Sequence, residues 1–162
     1  MSLAQTLPLE DALQCRQAGA DDAAALLRLI GQPDYNGEAM DEAGARRVLD
    51  AMAAYPFYRA YLFEDALGVA GMVCLIVMDN LGHRGAPVAL VENVIVAEDR
   101  QGQGLGRAMI AEMATLAERQ GAYKLILATS MKREGAHGFY ERLGFERYGY
   151  SYGLPLQLED EA

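Results

Sequence analysis

The chain has 162 residues, 52% of them apolar and 23% charged, with 23 acidic side chains against 14 Lys and Arg and a formal charge of −9. This length and balance describe one folded domain and exclude a disordered, collagen-like or disulfide-scaffold chain. The acidity argues against nucleic acid or an anionic membrane as partner, since both select a cationic surface.

Residues 1–12 read as a loose lead-in and residues 13–162 as a single domain. Leu13 to Ala18 suits a short strand. Asp21 and Asp22 offer an N-cap to a helix over Ala23 to Ile30, which Gly31 stops. Gln32 to Met40 holds Pro33, Asp34, Asn36 and Gly37 and reads as loop. A second helix, from Asp41 to Ala54, carries Val48, Leu49 and Met52 on one face and ends before Pro56. Tyr58 to Glu64 and Val69 to Met78 then read as an antiparallel pair with a buried second strand. After a polar loop from Asn80 to Pro87 comes a strand over Val88 to Val96. A glycine-rich turn leads into a helix from Leu105 to Gln120, closed by Gly121. Tyr123 to Ala128 is a strand, Gly135 to Leu143 a short helix stopped by Gly144, and Phe145 to Leu158 two terminal strands. The order predicts an α/β (α+β) fold: one twisted, mixed, mostly antiparallel sheet of about six or seven strands flanked by about four helices.

Cys74 lies in the apolar run Met72 to Met78 and reads as a buried, inert thiol, and neither it nor Cys15 belongs to a C-x-x-C motif. His83 and His137 are too scattered for a histidine-rich metal site, so no metal is expected. No apolar stretch reaches the ~20 residues of a membrane-spanning helix. Met1 to Gln5 has no basic signal region, so a cytoplasmic setting is expected.

The most informative stretch is Gln101-Gly102-Gln103-Gly104-Leu105-Gly106-Arg107, between strand and helix. The first N–H groups of a helix have no internal partner, and the helix dipole makes that end partly positive. Glycines let the backbone come close to an oxyanion, so a phosphate or pyrophosphate is the expected guest. A P-loop is excluded because no Lys-Ser or Lys-Thr follows. The dinucleotide fingerprint is excluded because the run is G-x-G-x-G and no acidic residue stands about 20 positions on.

Three segments, Val91-Glu92-Asn93-Val94-Ile95-Val96, Gln101-x-x-Gly104-x-Gly106 and Gly138-Phe139-Tyr140-Glu141-Arg142-Leu143-Gly144-Phe145, together resemble the GNAT superfamily of acetyl-CoA-dependent N-acetyltransferases. Val91 through Phe145 also looks like the glucosamine-6-phosphate N-acetyltransferases within it. The resemblance implies transfer of an acetyl group from acetyl-CoA to a primary amine of a small molecule by direct attack. A protein or peptide amine as acceptor, and a non-catalytic acyl-CoA-binding module on the same fold, are the alternatives. The backbone of Val94, Ile95 and Val96 is then expected to pair with the pantetheine arm. The turn of Gln101, Gly102, Gln103, Gly104, Leu105, Gly106 and Arg107 is expected to hold the pyrophosphate.

Tyr140 matches the family tyrosine that serves the departing sulfur, and Glu92 stands where relatives often carry the general base. Regular alternation sends Glu92 and Asn93 to opposite faces of the sheet, unless a bulge intervenes. Arg133 replaces the asparagine of many relatives; it suits a CoA phosphate, a substrate anion, or a solvated surface charge. Asn93, where the sugar-phosphate enzymes are typically acidic, and His83 and Arg84 in the preceding loop are substrate-side candidates. By the same resemblance the terminal strands pair across a homodimer.

Overall fold

The strands lie side by side in the order in which the chain makes them. The structure, a computed structural model, describes residues 13–35, 40–147, 149–154 and 156. The chain divides into two compact units, one running to Leu127 and the other starting at Ala128. The first unit contains β1 (Gln14–Gln17), α1 (Ala23–Ile30), α2 (Glu42–Ala53), β2 (Tyr58–Asp65), β3 (Gly68–Met78), β4 (Val88–Val96), α3 (Leu105–Arg119) and β5 (Lys124–Ile126). The second holds α4 (Glu134–Arg142). The sheet order is β1-β2-β3-β4-β5; the first three pairings are antiparallel and β4 with β5 is parallel. A parallel pair needs a long crossover, and α3 supplies it.

The two faces of the sheet bury different sets of side chains. Leu26 and Leu29 of α1 and Met52 of α2 join Ala60, Leu62, Met72, Cys74 and Ile95 in one cluster. On the opposite face α3 lies against β3, β4 and β5, where Phe63, Val73, Leu75, Ala89 and Val91 are buried along with Met109, Ile110, Met113 and Ala117. Each fully buried side chain of this size contributes about 1.5–3 kcal/mol. Gly71 is the point of closest approach on that face. A Cβ there would meet the Ile95 carbonyl oxygen at 2.6 Å and the Met109 sulfur at 2.9 Å.

Helix ends follow local chemistry, with one difference from expectation. Asp41 caps α2 by accepting from the Gly44 N–H at 2.7 Å. The far end of α2 is covered by Arg59, whose guanidinium donates to the carbonyls of Met52, Tyr55 and Tyr58 at 3.3, 3.3 and 2.8 Å. Asp22, expected to cap α1, does not do so. A 3-10 turn over Ala20–Asp22 precedes the helix, and the Asp22 carboxylate instead accepts from the Gly19 N–H and from Arg16, each at 2.8 Å. The nearby guanidinium outcompetes the helix terminus for that carboxylate.

The sheet departs from expectation at the chain's end. Phe145 to Leu158 forms no strand among its described residues, so the described sheet has five strands and not six or seven. Tyr150, Tyr152, Leu154 and Leu156 alternate as a strand would, yet all four are exposed. Alternation states a preference, while a strand needs a ladder partner. Residues 1–12, expected as a lead-in, lie outside the described residues.

Candidate active site

The geometry of interest begins where β4 and β5 part. Their pairing runs only through Val88 with Lys124, Ala89 with Leu125 and Leu90 with Ile126. From Val91 onward, β4 has no strand partner on that side among the described residues. Its other edge stays paired with β3 as far as Val96. The result is a fork whose open edge carries Val94, Ile95 and Val96 and leads into the glycine turn.

That turn is built for close approach. Gly102 and Gly104 have φ of +76° and +81°, and a Cβ added to either would meet no heavy atom within 4 Å. The first bonds of α3 run from the Arg107 and Ala108 N–H groups to the Gly104 carbonyl, at 3.1 and 3.3 Å. The N–H groups of Leu105 and Gly106 precede them at the positive end of a 15-residue helix. Arg100 braces the turn from the other side, with one guanidinium nitrogen on Gln103 Oε1 at 3.5 Å and others on the Asp65 carboxylate. The Arg100 guanidinium holds the Asp65 carboxyl below its usual range, helped by the Leu67 N–H.

Midway along β4 a bulge changes which side chains share a face. Met72 pairs with Ile95 and Cys74 with Glu92, so three steps on β4 span two on β3. Asn93 has φ +51°, a conformation that few residues other than glycine accept but asparagine tolerates. The consequence can be read from burial. Val91 lies opposite Leu75 on the α3 face, whereas Ile95 lies opposite Met72 in the α1–α2 cluster. Four residues apart, they would share a face in a regular strand. Glu92, opposite Cys74, is therefore on the α1–α2 face. So is the Asn93 side chain, which accepts from the Tyr35 hydroxyl and donates from Nδ2 to Cys74 Sγ at 3.5 Å. The bulge thus brings Glu92 and Asn93 to one side of the sheet.

Around them stand Cys74, read from the sequence as a buried thiol, and Tyr35, Tyr55 and Tyr58, which the sequence did not single out. Burial pushes the Tyr58 phenol above its ordinary value, and the electrostatics of Cys74, Glu92, Tyr55 and Tyr35 push it further, so these groups share one neighbourhood. Burial, partly offset by the Asn93 hydrogen bond, raises the Cys74 thiol to about 11, which keeps it a protonated, inert group. The turn after α1 is stitched to β4 and to the segment that follows it by four hydrogen bonds. Gln32 donates to the Val96 carbonyl at 3.1 Å and accepts from the Glu98 N–H at 2.9 Å. Asp34 accepts from Gln101 at 2.8 Å, and Tyr35 reaches Asn93. The side chain of Gln101 is thereby committed to Asp34 and, at 3.4 Å, to the Val96 carbonyl.

The remaining predicted residues fall into two other places. His83 and Arg84 lie in the loop before β4, at the closed end of the fork, with φ of +48° and +59°. His83 stacks on Tyr123 at 3.9 Å, next to the Lys124 that pairs with Val88. The structure does not bring them to Glu92. Arg133 and Tyr140 belong to the second unit, where Arg133 precedes α4. Tyr140 packs edge-on against Phe139 and Phe145 at 5.0 and 5.7 Å. Burial raises the Tyr140 phenol above its ordinary value and the positive Arg133 lowers it in part, so the net effect is a phenol that keeps its proton at neutral pH.

A fork beside a glycine turn at a helix N-terminus is matched at family level. The pattern of the Acetyltransferase (GNAT) family fits residues 24–145. The chain belongs to this family. A glucosamine 6-phosphate N-acetyltransferase of Trypanosoma brucei brucei is 32% identical over 149 residues, covering 89% of this chain and 96% of the relative. An aminoalkylphosphonate N-acetyltransferase of Salmonella typhimurium is 29% identical, covering 88% and 91%. A solved Trypanosoma brucei acetyltransferase superposes with a TM-score of 0.77 at 25% identity, covering 90% of this chain and all of that one. As a GNAT member, the chain places its family pattern across both compact units.

Proposed function

We propose that this GNAT protein moves the acetyl group of acetyl-CoA onto the primary amine of a small molecule, with the amine attacking directly. The observation that carries this reading is the fork between β4 and β5 opening beside an unobstructed glycine turn. An extended ligand arm with amide groups can add to the edge of Val94 to Val96 as an extra strand would. Its pyrophosphate can reach the N–H groups from Gly102 to Gly106. The cradle fits such a group, because left-handed glycines leave space that any Cβ would fill.

Acetyl-CoA supplies an activated thioester with a thiolate leaving group. The chain's residues then have three tasks. Backbone N–H groups on the open edge of β4 polarise the carbonyl, Glu92 takes the proton of the attacking amine directly or through water, and Tyr140 donates a hydrogen bond to the departing sulfur. A raised phenol suits the last task as a donor: it holds its proton, and its bond strengthens as charge grows on sulfur. Arg133, beside Tyr140, suits a CoA phosphate or a substrate anion.

The names of the trypanosomal and Salmonella relatives support a small amine that bears an anionic phosphorus group. The test is CoA release with a panel of amines that begins with glucosamine 6-phosphate and an aminoalkylphosphonate and includes a peptide amine. Turnover of a small amine is expected. Acetyl-CoA binding with no turnover of any amine would leave only a binding module, and turnover of the peptide alone would move the acceptor to a protein. In the same assay Gly104→Asp is expected to abolish measurable acetyl-CoA binding by calorimetry, since it sets a carboxylate where the phosphates belong; unchanged affinity would remove the turn from the site.

A further inference from the structure

Asn93 is the left-handed residue of β4, and its side chain is part-buried on the α1–α2 face. It is gripped at both ends, by the Tyr35 hydroxyl on its oxygen and by the Cys74 sulfur on its nitrogen. Asn93 is expected as a substrate-side residue; its bonds also give it a part in holding the strand. A left-handed residue within a strand persists only where its surroundings hold it there. Cys74 lies on β3 directly opposite Glu92, so its grip ties the bulge to the neighbouring strand. Tyr35 lies on the turn after α1, a separate element, and that turn is itself fastened to the end of β4 through Gln32 and to the start of the glycine turn through Asp34 and Gln101. Tyr35 therefore approaches the bulge from a base anchored at two other points.

We propose that Tyr35 is a positioning residue: its hydroxyl holds the Asn93 carboxamide and so locks the left-handed bulge that puts Glu92 on the α1–α2 face and orients the Val94–Val96 edge. The proposal deepens the acetyltransfer reading and rests on it for its kinetic arm only. Without the hydroxyl, β4 can relax toward regular alternation. Regular alternation from Val91 to Ile95 conflicts with their opposite burial, so the relaxed strand is a mixture of conformations and not a single alternative.

The test is a double-mutant comparison of Tyr35→Phe, Asn93→Gly and the two combined. Glycine adopts a φ of this sign without help, so it removes the need for the lock. Tyr35→Phe is expected to lower kcat about tenfold, the rate equivalent of one hydrogen bond. In the Asn93→Gly background, Tyr35→Phe is expected to change kcat less than about twofold by the same conversion. An equal loss in both backgrounds would overturn the proposal, because Tyr35 would then act on substrate or on general stability. No loss in either would overturn it as well. A second readout is independent of turnover: backbone chemical shifts of Asn93 and hydrogen exchange of the Glu92 to Val96 amides. Tyr35→Phe is expected to shift Asn93 out of its left-handed signature and to speed exchange over that segment. Unchanged shifts and exchange would overturn the lock even if no amine were ever turned over, which separates its failure from that of the proposed activity.

Discussion

At the scale of single residues, two side chains divide the proton traffic of the proposed reaction, and each can be isolated. Tyr140→Phe removes one hydroxyl and keeps the ring that packs between Phe139 and Phe145. The lost bond is worth most when sulfur carries charge, so kcat is expected to fall by ~10²–10⁴-fold while acetyl-CoA affinity holds. Near-normal kcat in a pre-steady-state assay would hand the role to water and leave Tyr140 as a packed ring. Glu92→Gln keeps shape and loses proton affinity. Its rate deficit is expected to be largest at low pH, where the amine arrives charged, and to shrink as pH nears the amine's own pKa. A deficit independent of pH would make Glu92 a substrate ligand and not a base. Both residues stand out as candidates in the sequence because they sit in patterned segments. Tyr35 does not, because it lies in the loop Gln32-Pro33-Asp34-Tyr35, whose composition announces a turn and is silent about where the turn's side chains land.

At the scale of elements, legibility tracked how much of an element's definition is local. Strand β4 was expected over Val88 to Val96 and has those bounds, since a long apolar run between two polar turns leaves little choice. Helix α2 lost one residue at each end of its expected span, and Asp41 became its cap. Strand β5 shrank from the expected Tyr123 to Ala128 to three residues, because its extent is set by how far β4 stays beside it. The bulge is non-local for the same reason. The one local sign of it was an asparagine within an apolar strand, at a position where the backbone turns left-handed. Gly71 supplies a prediction at this scale. Its α-carbon sits where β3, β4 and α3 converge, and an added methyl would collide with backbone on one side and with Met109 on the other. Gly71→Ala is expected to cost about 1–3 kcal/mol as an overpacking substitution. Urea unfolding would register this as a lower midpoint at unchanged slope; an unchanged midpoint would mean that α3 can retreat without loss.

At the scale of the whole molecule, the surplus of acidic side chains makes acid the informative perturbation. Arg100 lowers the Asp65 carboxyl and Arg16 lowers that of Asp22. A carboxyl whose folded pKa lies below its unfolded value, near 4, binds fewer protons when folded. Its contribution to stability is complete above the unfolded pKa and is lost as pH falls through the folded one. Stability is therefore expected to decline from about pH 5 downward. Asp65→Asn is expected to be less stable at neutral pH and to lose less on acidification, so its denaturation midpoint converges on that of the parent in acid. Parallel curves would mean that the Asp65–Arg100 pair adds nothing. The overall fold was legible from the order of elements, whereas the terminal strands were not, since Tyr150 to Leu156 carries the pattern of a strand without a described partner.

The fork has one more consequence, for how the protein behaves in a tube. A row of unpaired peptide groups flanked by valine and isoleucine is a template for any extended chain, including a second molecule of the same protein. Among the described residues, β4 is paired with β3 on one side and has no strand partner from Val91 onward on the other. Soluble proteins ordinarily blunt such an edge with lysine, proline or a covering loop. On this edge, Val94 to Val96 holds none of these residues. Whatever lies along the edge therefore does the blunting, and a ligand that does so acts as a solubiliser as well as a reactant: turbidity on warming should develop more slowly when CoA is present at saturation.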